Sequence, residues 1–193
     1  DGEYWISAGE ATLFEYSEHV QAAGANRYCG YQVVRLYEDL IDMLPYVLEP
    51  VPKSLVQYVC GETAKAWQKT YRDWCDKNYD VLEPSQVDKI IDLAVVWTGQ
   101  RSLDSAYLSP SANISIWSDD ENVHIEWDNR DRLFEGKPAW TALFGAYQMP
   151  RREFVEEIRS FHLRLMAQMS VRIQQVHEGA LSQDIAIDLP GLL

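Results

Sequence analysis

Carboxylates are the residues of this chain whose types and spacing could do chemistry. The densest group is Glu126-Trp127-Asp128-Asn129-Arg130-Asp131, with Glu135 just beyond. A second group is the acidic turn Asp119-Asp120-Glu121, and a third is Glu38, Asp39 and Asp42. Clustered carboxylates can ligate a hard cation, work as an acid–base pair, or present charge to a basic partner. A calcium loop needs oxygen ligands at alternate positions and a central glycine. Asp128-Asn129-Arg130-Asp131 has neither. A glycosidase needs two carboxylates facing one cleft about 5–10 Å apart, and nothing in the order of residues selects such a pair. Asp39 and Asp42 are three apart, so on a helix they are surface neighbours. Two carboxylates alone do not make a metal site, which leaves an acidic recognition patch or a solvated face.

Other chemistry is thinly supplied. The chain contains no G-x-S-x-G, H-E-x-x-H, P-loop or G-x-G-x-x-G signature. His19, His124, His162 and His177 fall on different stretches. His162 and His177 share one helix pattern but stand roughly 22 Å apart by helical rise, too far for a common metal. His124 alternates out of the apolar side of its strand and could serve as a surface base, but a lone histidine without a visible nucleophile is more often structural. The cysteines Cys29, Cys60 and Cys75 are odd in number and lack CxxC spacing. That argues against a disulfide framework or a zinc ribbon and for reduced thiols in a cytoplasm. The expectation is a protein that is not an enzyme and carries no metal and no cofactor.

The formal net charge is −13, from 30 acidic and 17 basic residues. It is uneven, since residues 1–50 hold nine acidic and two basic residues. Such a surface repels nucleic acid and anionic membranes and attracts a basic partner; acidity also serves solubility alone. Seven tryptophans and eleven tyrosines supply both core residues and the aromatic anchors preferred at protein interfaces. No run of about 18 apolar residues exists to span a membrane.

The elements that must position these residues can be read from periodicity. Tyr4–Ser7 and Thr12–Tyr16 read as strands around an Ala8-Gly9-Glu10 turn. Residues 17–30 read as a loop or short helix. Tyr31–Leu48 reads as a helix that Pro45 should kink, or end near Leu44. After Pro50-Val51-Pro52, Lys53–Asn78 reads as a second helix with a weak point at Gly61. A third helix is expected from Glu83-Pro84-Ser85 to about Thr98, with Val87, Ile90, Ile91, Ala94, Val95 and Trp97 on its apolar side and Gly99 as its stop. Asn113–Ser118 and Asn122–Trp127 form a hairpin around the acidic turn, with Val123, Ile125 and Trp127 on the buried side. A third apolar run follows at Ala139–Gln148. Pro150 then opens a long helix. Its stripe is Phe154, Ile158, Phe161, Leu165, Met169, Ile173 and Val176, and Gly179 stops it. The tail to Leu193 alternates at Ile185, Ile187 and Leu189 like an edge strand. Strands and helices are segregated, which predicts one α+β domain over 1–193. In it an antiparallel sheet of short strands packs against several helices, including the long C-terminal one.

Several stretches also carry a resemblance. Asp1–Ile6 (DGEYWI), Tyr31–Pro52 and Val123–Asn129 resemble a bacterial family of unknown function, as does the run Trp140–Phe154 with Phe161 and Arg172. Several of its members look like immunity proteins of polymorphic toxin systems. The resemblance implies a small, acidic, cytoplasmic protein without a catalytic motif, whose native chain begins upstream of Asp1. The expected function is to bind a cognate toxin, with a basic surface, and occlude its active or substrate-binding face. The expected contact surface is Asp119, Asp120, Glu121, Asp128 and Asp131, with Glu38, Asp39 and Asp42 as second choice. The alternative is a small-molecule binder or hydrolase using a carboxylate-lined pocket.

Overall fold

The computed structural model describes residues 2–60 and 86–178. Its contacts divide the chain into two units, Asp1–Arg151 and Arg152–Leu193. The fold class is α+β, with antiparallel sheets of short strands and a long C-terminal helix.

In the first unit, β1 (Gly2–Tyr4) is followed by a hairpin of β2 (Ile6–Ala8) and β3 (Ala11–Leu13). The expected first strand is therefore two strands, broken at the exposed Trp5. The hairpin turn lies where Gly9 (φ +64°) supplies a left-handed residue without a side-chain penalty. The short helix α1 (Glu18–Ala22) leads to β4 (Cys29–Tyr31), which pairs antiparallel with β1. Periodicity did not disclose β4, because three residues with a central glycine carry no alternating signal.

Helix α2 spans Val33–Leu48 and keeps Pro45 inside it. The expected break near Leu44 does not occur. Pro45 lies in the last turn and faces solvent, while Leu36, Leu40, Met43 and Val47 form one buried stripe that continues past it. Burial of the stripe outweighs the lost backbone hydrogen bond. Of the expected second helix, the described part is the single turn α3 (Val56–Val59), which ends where Cys60 turns extended (φ −117°, ψ 135°). The rest of that helix, including Gly61, and Cys75 lie outside the described residues. Helix α4 (Gln86–Gly99) ends at the expected glycine. It buries Ile91, Ala94 and Trp97, but Val95 is 65% exposed and belongs to the outer side.

The main sheet has the order β5 (Ile114–Ser118), β6 (Asn122–Asp128), β9 (Phe144–Pro150), all antiparallel. Val123, Ile125 and Trp127 are buried and their neighbours on β6 are half-buried, as the alternation predicts. Trp117 on β5 stands opposite His124. Leu55, Val59, Ala94 and Trp97 pack on Trp117, so α3 and α4 cover that side of β5. A small hairpin, β7 (Leu133–Phe134) and β8 (Lys137–Pro138), turns through Glu135 (φ +49°) and Gly136 (φ +78°).

Two clamps tie distant segments together. The buried Asn129 accepts the Asn113 N–H at 2.7 Å and donates to the Ala142 carbonyl at 3.0 Å, while its own N–H reaches the Leu143 carbonyl at 2.6 Å. Residues 15–17 hold 139–141 through Thr141 N–H to the Glu15 carbonyl (2.9 Å) and Ser17 N–H to the Ala139 carbonyl (2.8 Å). Phe14 is held at φ +67°, a strained value for a bulky residue. Its ring meets Tyr4 and Trp140 edge-on at 5.2 and 5.9 Å.

The second unit begins with most of α5 (Arg151–His177). Pro150 is the last residue of β9, so the helix starts one residue after the proline rather than at it. The expected stripe is the more buried side of the helix: Phe154 and Leu165 are buried, and Ile158, Phe161, Met169, Ile173 and Val176 are half-buried. Gly179 and the expected tail strand at Ile185, Ile187 and Leu189 lie outside the described residues.

Candidate functional site

The acidic turn is built by its own backbone. Asp119 Oδ1 accepts the N–H groups of Glu121 (2.8 Å) and Asn122 (2.7 Å), an Asx-type closure. Asp119 Oδ2 lies 2.7 Å from His124 Nε2. The Asn122 N–H first, and then His124, hold the Asp119 carboxyl down to about 2. His124 in turn stacks on Trp117, with ring centroids 3.9 Å apart and planes 9° from parallel. The Trp117 indole N–H donates to Glu126 at 3.0 Å. Asp119 thus fixes the turn, and Asp120 and Glu121 are the carboxylates it presents to solvent.

A histidine beside a carboxylate supplies two of the three members of a catalytic triad, so the nucleophile matters. The neighbouring thiol is Cys60, which packs beside Trp117. Burial first, and then the Glu126 charge, pushes it up to about 12, so it stays a thiol at neutral pH. The Ser118 hydroxyl is buried and donates to the Val47 carbonyl at 2.6 Å. Neither is an activated nucleophile. Among the described residues no three His, Cys, Asp or Glu side chains are grouped to hold a metal ion.

The other expected acids are placed differently. Asp128 is bound by Arg130 at 2.8 and 2.7 Å, and Asp131 lies 3.5 Å from Arg132. That loop is nearly neutral, because each aspartate has an arginine beside it. It also sits at the opposite end of β6 from the acidic turn, roughly 20 Å away at about 3.3 Å per residue. The structure does not bring the two acidic loops into one patch. On α2, Asp39 pairs with Arg35 at 3.4 Å, and Arg35 also reaches Asp104 at 3.6 Å. Burial raises the Asp39 carboxyl against the opposing pull of Arg35. Glu38 and Asp42 are exposed.

One concave feature lies where the β2–β3 hairpin meets the segment before β9. It is an open depression of about 500 Å³. Glu10, Thr12 and Glu15 line it from the hairpin side, and Trp127, Thr141 and Phe144 from the other. Glu15 holds Arg27 at 2.6 Å and accepts from the Thr141 hydroxyl at 3.3 Å. Glu10 and Glu15 were not singled out by the sequence, because the other wall of the depression comes from residues 127–144, and Thr141, which donates to Glu15, is 126 residues away. The pairing of His124 with Trp117 was not legible, since a three-residue turn at 119–121 would set Ser118 against Asn122, whereas the observed register sets Ser118 against Val123 and Trp117 against His124.

Fold and site define a small α+β protein with a preorganised acidic turn and an open acidic depression. The chain belongs to DUF5984, a family of unknown function whose model matches residues 1–193. No curated protein and no solved structure matches it.

Proposed function

We propose that this protein is an immunity protein, which binds a cognate bacterial toxin in the cytoplasm and occludes its active or substrate-binding surface. The observation that carries the reading is the turn Asp119–Glu121. The Asp119 carboxylate and the backbone of the turn are held in place before any partner arrives, at the end of a hairpin, on a chain of net charge −13. Preorganised exposed acids accelerate encounter with a basic surface and fix its register. The nearly neutral 128–131 loop moves weight within the expected surface to Asp119, Asp120 and Glu121. Glu38, Asp39 and Asp42 remain the second choice. The resemblance to immunity-like proteins points the same way. The test is capture of the tagged protein's partner at about 0.1 M and 1 M salt, where screening lengths differ about threefold, followed by co-expression of that partner. One stoichiometric basic partner, weakened by salt and toxic without this protein, supports the reading. A partner whose toxicity is unchanged by co-expression contradicts it.

A second reading, a small-molecule binder, is favoured by the depression at Glu10 and Glu15. Its volume is within the range of about 300–1,000 Å³ found for ligand sites.

A further inference from the structure

The main sheet treats its two edges differently. On the outer side of β5, the Val51 and Leu103 N–H groups donate to the Ser118 and Ile114 carbonyls at 2.8 and 2.9 Å, and the Ile116 N–H donates to the Arg101 carbonyl at 2.8 Å. That edge is covered. The other edge is β9, which is seven residues long. Its register fixes where its backbone groups point. The Asn129 N–H donates to the Leu143 carbonyl, and the Arg151 N–H donates to the Glu121 carbonyl. Bonded and non-bonded pairs alternate along an antiparallel ladder, so Gly145, Tyr147 and Met149 complete the set that bonds to β6. Phe144, Ala146 and Gln148 therefore turn their N–H and C=O groups away from β6. Among the described residues, none bonds to the backbone of Ala146 or Gln148 on that side, and both residues are exposed.

An open edge strand is a template for another chain, and natural sheets blunt such edges with charge, proline or cover. β9 carries no Asp, Glu, Lys or Arg. Pro150, which also points outward, closes the row at one end only. The described strands outside the main sheet are two or three residues long, too short to act likewise. Charge distinguishes the two ends of β9. At the Phe144 end, Asp128 is already paired with Arg130. The Pro150 end adjoins the acidic turn through the 3.0 Å bond from the Arg151 N–H to the Glu121 carbonyl, and Asp120 and Glu121 are exposed there. The Arg151 side chain is drawn back to the Leu48 carbonyl. A docking strand thus meets uncharged backbone along β9 and carboxylates at one end. A second copy of this chain, with its net charge of −13, is repelled by such a surface, and a basic strand is attracted.

We infer that β9 is the docking edge for an extended strand of a partner protein. That strand adds antiparallel to β9, exchanges backbone hydrogen bonds with Ala146 and Gln148, and sets basic residues at its own N-terminal end beside Asp120 and Glu121. That the partner is the toxin rests on the proposed function; strand addition itself does not.

The probe is an acetylated and amidated peptide as long as β9, with two lysines followed by alternating threonine and valine. One control is the same peptide N-methylated at every threonine and valine, which can donate no ladder bond from them. The other has glutamates in place of the lysines. The readout is the backbone amide signals of Ala146 and Gln148 in ¹⁵N-labelled protein. In the free chain both amides should exchange with solvent at least about tenfold faster than those of Tyr147 and Met149, which bond to β6. The lysine peptide should shift both signals saturably and slow their exchange, with a dissociation constant on the order of millimolar. The glutamate peptide should bind about tenfold more weakly, and the methylated peptide should leave the signals in place. Gln148→Pro removes an outward donor and no bond to β6, so it should weaken binding of the lysine peptide about tenfold. No shift, or equal shifts from the lysine and methylated peptides, overturns the inference. Slow exchange of Ala146 and Gln148 in the free chain also overturns it, because the edge is then already covered. Shifts that grow with protein concentration alone overturn it by making a second copy of the chain the occupant. Equal binding of the lysine and glutamate peptides overturns the placement of basic residues beside the turn. If Gln148→Pro does not fold, the peptide comparison decides alone. Failure here leaves toxin neutralisation standing, and failure of neutralisation leaves strand addition standing.

Discussion

Asp119 shows how a residue chosen for its charge acts mainly through its hydrogen bonds. Its carboxyl is held at about 2 in the folded chain, below the value near 3.9 of an unstructured aspartate. The folded pKa is the depressed one, so Asp119 contributes stability that is fully present above about pH 4 and lost as pH falls toward 2. Asp119→Ala removes that contribution, about 1 kcal/mol at neutral pH once solvent screening of a half-exposed group is allowed for. Urea midpoints at pH 7 and pH 3 check this: the gap between wild type and variant should narrow at the lower pH. Cys60 gives a second prediction at this scale. Burial pushes its thiol up to about 12 and that of Cys29 up to about 11. Both should therefore resist a thiol reagent at pH 8 in the native protein and react promptly once it is unfolded. Mass spectrometry of labelled peptides reports which thiols react.

Among the elements, the hairpin of β5 and β6, helix α2 and the stripe of α5 were legible because each repeats one period over several turns or pairs. Asp119-Asp120-Glu121 was legible as a turn for the same reason. What stayed hidden depends on contacts between distant residues. The strand β4 is too short to show a period. The depression needs Glu15 beside Thr141, which no local pattern encodes. Asn129 read as a failed calcium ligand, and it is instead a clamp on residues 113, 142 and 143. Asn129→Ala leaves buried backbone groups unpaired and should cost about 1–3 kcal/mol, measured by denaturant unfolding. Gly145 was also silent in the sequence. A Cβ there would lie 2.4 Å from the Trp127 ring, so Gly145→Ala must displace that ring. The expected loss is about 1–3 kcal/mol, and it should shrink in the Trp127→Leu background, where the ring is gone. A double-mutant cycle on the two positions measures that coupling.

For the whole molecule, the charge of −13 is the property that links composition to function. Charge was legible at once, but its arrangement was not. Arg130 and Arg132 neutralise the 128–131 loop, so within the expected contact surface the exposed acidity left over lies at Asp120 and Glu121 and, separately, at Glu38 and Asp42. Electrostatic steering acts on association more than on dissociation. The most direct measurement is therefore the association rate of the captured partner with wild type and with Asp120→Lys/Glu121→Lys, at low and high salt. The proposed function predicts that reversal slows association at low salt by about tenfold or more and flattens its salt dependence, with dissociation little changed. Equal association rates at both salt concentrations would contradict it.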